Sequence, residues 1–371
     1  MNLRILTSLF TFLFVLNIYS QSKISEIEKL LSNEDTKEAK LLIDQLIRVD
    51  SLNAKLWLYK GLIVQNRIER NTEAHSKKEI LDSAYFCYIK SESLNNSNNL
   101  ESLIAENLRS VSKQYSYTGM EFFNIKEYQV ALNIFEKCIK ISNLSYVNEL
   151  DTILWYNAAL SAEKLLDYNK AEYYYLLIIK YNKKDTNAIL ALANLYRQQG
   201  FSEKYYSLIK QKNVEFPKTE LFYKELVAYY LENKKVDSAL FYLDEVLEFS
   251  TDDRLFYLKG SVLQDQERIP EAIIEYRKTL ELNPSNIDAS FNLAVIEYNN
   301  AIDLLKKKRR KKAEKKELKQ HLNACITYLK IVKEIEPENK YMLSMLLTSY
   351  KELGMKSEEK ELLNQIKNLK K

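Results

Sequence analysis

Few residues in this chain are of a kind that does chemistry. There are 2 histidines, His75 and His321, and 3 cysteines, Cys87, Cys138 and Cys325, in 371 residues. Metal sites and nucleophile–base pairs need such groups in close sets, yet no two cysteines stand at zinc-ligand spacing and the histidines are far apart in sequence. Acidic side chains are many but scattered, so no carboxylate pair suggests acid–base work. The reading is of no catalytic residue, no cofactor and no metal. The one dense charge cluster is Lys306, Lys307, Lys308, Arg309, Arg310, Lys311 and Lys312. It lacks interleaved aromatics on which bases would stack, so nucleic acid is not the predicted partner. Glu314 and Glu317 follow closely, which reads as a solvated, extended helix with opposite charges three or four residues apart. The other reading is contact with an acidic partner or a membrane surface.

The elements that would position these groups are helices. Only 5 glycines and 4 prolines interrupt the chain, too few for the turns of a strand-rich fold. Apolar residues make up 46% and charged residues 29%, enough to build cores, and the net charge of +4 selects no partner by its overall field. Residues 1–20 stand apart: Arg4 near the start, an apolar run from Ile5 to Leu16, and Ser20 before Gln21. That pattern predicts a secretory signal peptide cut after Ser20, or after Ser22, with an uncleaved anchor as the alternative. No further stretch is apolar and long enough to span a bilayer, so the mature chain 21–371 is predicted to have no transmembrane segment.

A period of thirty-four residues runs through the rest of the chain. In Asp253 to Asn286 an aromatic occupies the fourth place (Phe256), Gly260 the eighth, Leu263 the eleventh, Ala272 the twentieth, Tyr276 the twenty-fourth and Pro284 the thirty-second. Thr152 to Asp185 repeats this with Trp155, Ala159, Ala162, Ala171, Tyr175 and Ile178, and two further copies fill the stretch up to Asp252. The pattern resembles the tetratricopeptide repeat. The resemblance implies an all-α, right-handed superhelical solenoid of helix pairs: about eight repeats, clearest over 152–286, with C-terminal capping helices at 340–371. Trp57, Gly61, Ala84 and Tyr88 make an early copy with eleven extra residues near 67–76, and Tyr115, Gly119, Phe122, Ala131 and Phe135 another near 112–145. The copy from Ile287 holds about nineteen extra residues near 300–320. Small residues at places eight and twenty are expected where the two helices cross, and the aromatics at places four, eleven and twenty-four are expected to fill gaps against the next repeat. Cys87, Cys138 and Cys325 fall where apolar core residues belong.

In that family the first helices line a concave groove through places two, five, nine, twelve and thirteen. Here these hold Ile153, Tyr156, Leu160, Glu163 and Lys164; Asn187, Leu190, Asn194, Arg197 and Gln198; Leu221, Lys224, Ala228, Leu231 and Glu232; and Arg254, Tyr257, Ser261, Gln264 and Asp265. The resemblance implies a non-enzymatic adaptor that binds a protein or peptide there. The carboxylate clamp of chaperone-binding members is absent from the sequence, since Lys224 at place five is followed by Ala228 at place nine, and Asn157 and Asn292 lack their partners. The alternative is a structural accessory of an envelope assembly or secretion complex, touching partners through its convex face and insertions. With the leader, either role is expected in the periplasm, the envelope or the medium of a bacterium.

Overall fold

The computed structural model describes residues 23–68, 73–97 and 99–369. The predicted signal segment lies outside them. The described residues hold helices and turns and no strand. The chain divides into two compact units, one up to Tyr205 and one from Tyr206.

In the first unit, α1 (23–32), α2 (Thr36–Val49), α3 (Ala54–Gln65), α4 (Ala74–Leu94), α5 (Glu101–Asn124), α6 (Tyr128–Ser142), α7 (Thr152–Lys164), α8 (Tyr168–Tyr181) and α9 (Thr186–Gln198) follow one another, and α10 (Ser202–Glu215) begins. The second unit takes the rest of α10, then α11 (Glu220–Glu232), α12 (Val236–Leu247), α13 (Asp253–Asp265), α14 (Ile269–Leu282), α15 (Ile287–Leu305), α16 (Lys312–Ile335), α17 (Lys340–Leu353) and α18 (Lys356–Asn368). From α2 to α9 in the first unit and from α11 to α18 in the second, each helix packs against the next.

Two local devices recur with the period. The first helix of a pair is opened by a short polar side chain accepting from the backbone: Asn53 from Lys55 N–H, Asp151 from Ile153, Asp185 from Ala188, Asp252 from Arg254, Asn286 from Ala289 and Asn339 from Met342. The turn inside the pair is closed by one left-handed residue, at Glu34, Lys126, Leu166, Gly200, Lys234, Glu267 and Gly354. The following N–H then donates back across the turn, as in Asp167 to the Ala162 carbonyl (2.9 Å) and Arg268 to that of Leu263 (2.9 Å). This is a Schellman closure. Five of the seven left-handed positions are not glycine, which is how so glycine-poor a chain turns so often.

The extra residues lie where the period stretches. α15 and α16 are 19 and 24 residues long, against 13 for α13 and 14 for α14. The basic run is therefore not on an extended helix: residues 306–311 form the turn between two elongated helices, because Lys311 caps α16 and Lys312 opens it. A second stretch, unpredicted, is the first half of α5, which is 24 residues long.

Candidate functional site

The packing inside a helix pair decides which side chains are left for a partner. A Cβ built on Gly260 would lie 2.8 Å from the Tyr276 ring, one on Gly119 2.8 Å from Phe135, and one on Gly61 2.5 Å from Tyr88. The aromatic at place twenty-four thus fills the space of the missing side chain at place eight in its own repeat. It also packs on the next repeat, as expected: Tyr276 shares a buried core with Ala289 and Leu293. The missing side chain of the glycine leaves the gap that this ring occupies. The same tyrosine ends in a polar tip that needs a partner once buried. Tyr88 Oη donates to Gln65 Oε1 (2.7 Å), Tyr175 to Glu163 Oε1 (2.9 Å) and Tyr276 to Gln264 Oε1 (3.1 Å), each at place twelve. Asn292, from the following repeat, donates to Tyr276 Oη (3.1 Å).

The groove residues of the first unit divide accordingly. Tyr156 and Leu160 are half-buried, with Tyr156 edge-on to Tyr175 at 5.8 Å. Burial raises the Glu163 carboxyl pKa, opposed by the Tyr175 hydrogen bond, and burial raises the Tyr156 hydroxyl as well. Arg197 donates to Asn194 Oδ1 (3.0 Å) and lies over the Tyr205 ring. Lys164, Asn187 and Gln198 are exposed. In the second unit Lys224 is engaged by Asp252 (2.7 Å) and by Glu220. Burial opposes its charge, but the two carboxylates outweigh burial and raise its pKa. Its ammonium is thereby spent on the fold, so Lys224 is not the open cation that its place predicts. Arg254 is exposed, Tyr257 is half-buried against Tyr276 (5.8 Å), and Gln264 accepts from that tyrosine.

One cleft of about 720 Å³ lies between α5, the end of α6 and the start of α7. Lys113 and Ser116, at groove places two and five of the copy near 112–145, line it with Tyr117, Ile153 and Leu154. Lys113, Tyr117 and Ile153 are exposed. The connection 143–151 closes the far side and is held by Arg109, whose Nη2 donates to the Val147 carbonyl (3.0 Å) and whose Nε faces Glu149 (3.6 Å). Arg109 and Tyr117 were not marked by the period, although the break in phase between 145 and 152 was the available signal.

Among the described residues no group of three or more His, Cys, Asp or Glu side chains that could hold a metal ion is found. His75 faces Glu127 (3.2 Å), and His321 Nδ1 faces the buried Glu297 (2.5 Å). The three cysteines are free and buried, and burial pushes the thiols of Cys138 and Cys325 up to about 12. The residues at place twenty-two of several second helices are large, apolar and exposed: Phe86 and Tyr173 in the first unit, Phe241 and Ile274 in the second.

Compared with known proteins, the chain is 26% identical over 205 residues to a TPR repeat-containing protein of Methanocaldococcus jannaschii, an alignment covering 52% of this chain and 34% of the relative. The interlocked small and aromatic places are those of the same repeat, and this relative agrees with them. The chain is a tetratricopeptide-repeat protein. No family model matches it. It spans about a third of the length of the curated relative it matches. Among solved structures it is similar to a thermophilic TPR protein of Thermus thermophilus (20% identity, 48% of this chain and 94% of that one, TM-score 0.31). A tetratricopeptide repeat protein from Parabacteroides merdae (18%, 82% and 99%, TM-score 0.30) and Naa15/Naa10 bound to HypK-THB (15%, 94% and 54%, TM-score 0.43) are also similar. Tetratricopeptide-repeat proteins are in general scaffolds that bind other proteins and carry no catalytic centre. No helix among the described residues is long and apolar enough to cross a membrane.

Proposed function

We propose that the chain is a non-enzymatic adaptor that binds an extended peptide or a helix of another protein through the first-helix face of its first unit. The observation that carries this is the cleft between α5 and α7, with Lys113 and Ser116 at groove places and Tyr117 and Ile153 exposed at its edge. Such a lining combines apolar area with donors that neighbouring residues have not consumed, which suits a peptide held by burial and backbone hydrogen bonds. Lys164, Asn187 and Gln198 extend the same character along α7 and α9. An exported location, with the leader removed, is part of this proposal.

The test is selection of peptides from a random display library on the immobilised chain, followed by titration of a selected peptide against Lys113→Glu with Ser116→Trp. The pair fills the cleft and inverts its charge, and a loss of affinity of at least about tenfold is expected, corresponding to about 1.4 kcal/mol. Undiminished binding by a normally folded variant would remove the cleft from the interface. A second reading, a structural accessory contacting its partners through the outer face, is favoured by the exposed Phe86, Tyr173, Phe241 and Ile274. Phe86→Ser with Tyr173→Ser would weaken capture under that reading alone.

A further inference from the structure

We propose that the turn between α15 and α16 is a docking tip for an anionic lipid bilayer. Residues 303–317 carry nine basic side chains against Asp303, Glu314 and Glu317, a net charge of +6. The whole chain carries +4, so everything outside this tip sums to −2. Its positive field is thus gathered at one place in the second unit.

The acids at the tip are matched by neighbouring groups. Asp303 pairs with Lys306 (2.8 Å), Glu314 with Lys307 (2.8 Å), and Glu317 faces His321 (3.8 Å). Lys308, Arg309, Lys311, Lys312, Lys315 and Lys316 are all exposed. The hairpin that presents them is braced: Ala301, Leu304, Leu318 and Leu322 form a core of their own, with Leu353 packed against it. The buried Glu297 holds His321 across the two helices at 2.5 Å.

The chemistry of the tip discriminates between partners. Protein interfaces are anchored by aromatic and apolar side chains and are depleted in lysine, whereas no large apolar residue between 283 and 334 is exposed. Lysines on long flexible stems, carried on a turn, need no shape-matched surface. A bilayer offers a plane of laterally mobile phosphates that gathers around such a tip whatever the spacing of its charges.

The experiment is flotation of the full chain with phosphatidylcholine vesicles containing phosphatidylglycerol, beside pure phosphatidylcholine vesicles and a DNA duplex at equal phosphate. Binding to the anionic vesicles alone is expected, and it falls away as salt is raised and screening shortens. The variant Lys308→Gln, Arg309→Gln, Lys311→Gln, Lys312→Gln should lose about fivefold in partition per charge, about 600-fold in all. A control with the same loss of charge elsewhere, Lys37→Gln, Lys40→Gln, Lys180→Gln, Lys183→Gln, should stay within about tenfold of the parent. Failure to float at low salt, tighter binding to DNA, equal loss in the control, or retention by a tip variant with the parent's melting profile would each overturn the proposal.

Discussion

Gly260 shows how little room single residues have in these helix pairs. Alanine there gains up to about 1 kcal/mol of helix propensity. Its Cβ, however, meets the Tyr276 ring at 2.8 Å, and that ring is held by Gln264 and Asn292. Overpacking of this kind costs about 1–3 kcal/mol and outweighs the gain, so Gly260→Ala should lower the urea midpoint. Asp82 gives a pH-dependent counterpart in the first unit. It accepts from Tyr115 (2.5 Å), from Lys78 (2.8 Å) and from Lys137. Burial pushes its carboxyl up, but these hydrogen bonds outweigh burial and hold it below the usual range. A folded pKa below the unfolded one stabilises fully above the unfolded value, about 4, and the contribution is lost as pH falls through the folded pKa. The 2 tryptophans, Trp57 and Trp155, are both in this unit. Tryptophan fluorescence in urea should therefore show the first unit weakening below about pH 4, and Asp82→Asn should flatten that dependence.

At the scale of elements, the left-handed turn residue invites a gain. Leu166 has φ 62° and is exposed, so glycine there relieves backbone strain without removing a core contact. Leu166→Gly is expected to stabilise the α7–α8 pair by about 0.5–1 kcal/mol, seen as slower amide exchange in those helices. Conversely, Arg109→Ala should free the connection 143–151, increasing protease cutting there while the tryptophan melting curve barely moves. The helix pairs were legible from the sequence because Gly, Ala and the aromatics stand at places where backbone approach restricts the choice. The lengthening of α5 was not, since 101–111 keeps a helical apolar rhythm with Ile104, Ala105, Leu108 and Val111 buried and no turn residue to mark a stop. The cleft escaped for the same reason: Arg109 lies on those extra turns, outside the thirty-four-residue phase. Lys224 illustrates a different limit, because a place number fixes where a side chain starts and not the carboxylates, Asp252 and Glu220, that consume its charge.

At the scale of the whole molecule, each repeat buries its apolar faces against its neighbours, so damage at one crossing is felt by the adjacent pairs. Ala272 is fully buried, and its carbonyl oxygen would lie 3.4 Å from a Cβ on Gly260. Ala272→Leu should cost about 1–3 kcal/mol, and hydrogen exchange should rise across α13 and α14 and in the neighbouring pairs of the second unit. The filling of each crossing also says something about how such an array is put together over generations. Gly61, Gly119 and Gly260 face Tyr88, Phe135 and Tyr276, whereas Val227 shares its repeat with Leu243 and Ala294 with Leu329. Ala159 with Tyr175 is the intermediate case. A recombination that joined the first helix of the Val227 repeat to the second helix of the Gly260 repeat would drive a valine into a tyrosine ring. The reciprocal product would set a leucine over a glycine and leave a hole. Duplication and shuffling can therefore move these helices only in pairs, and the heritable module is the matched hairpin.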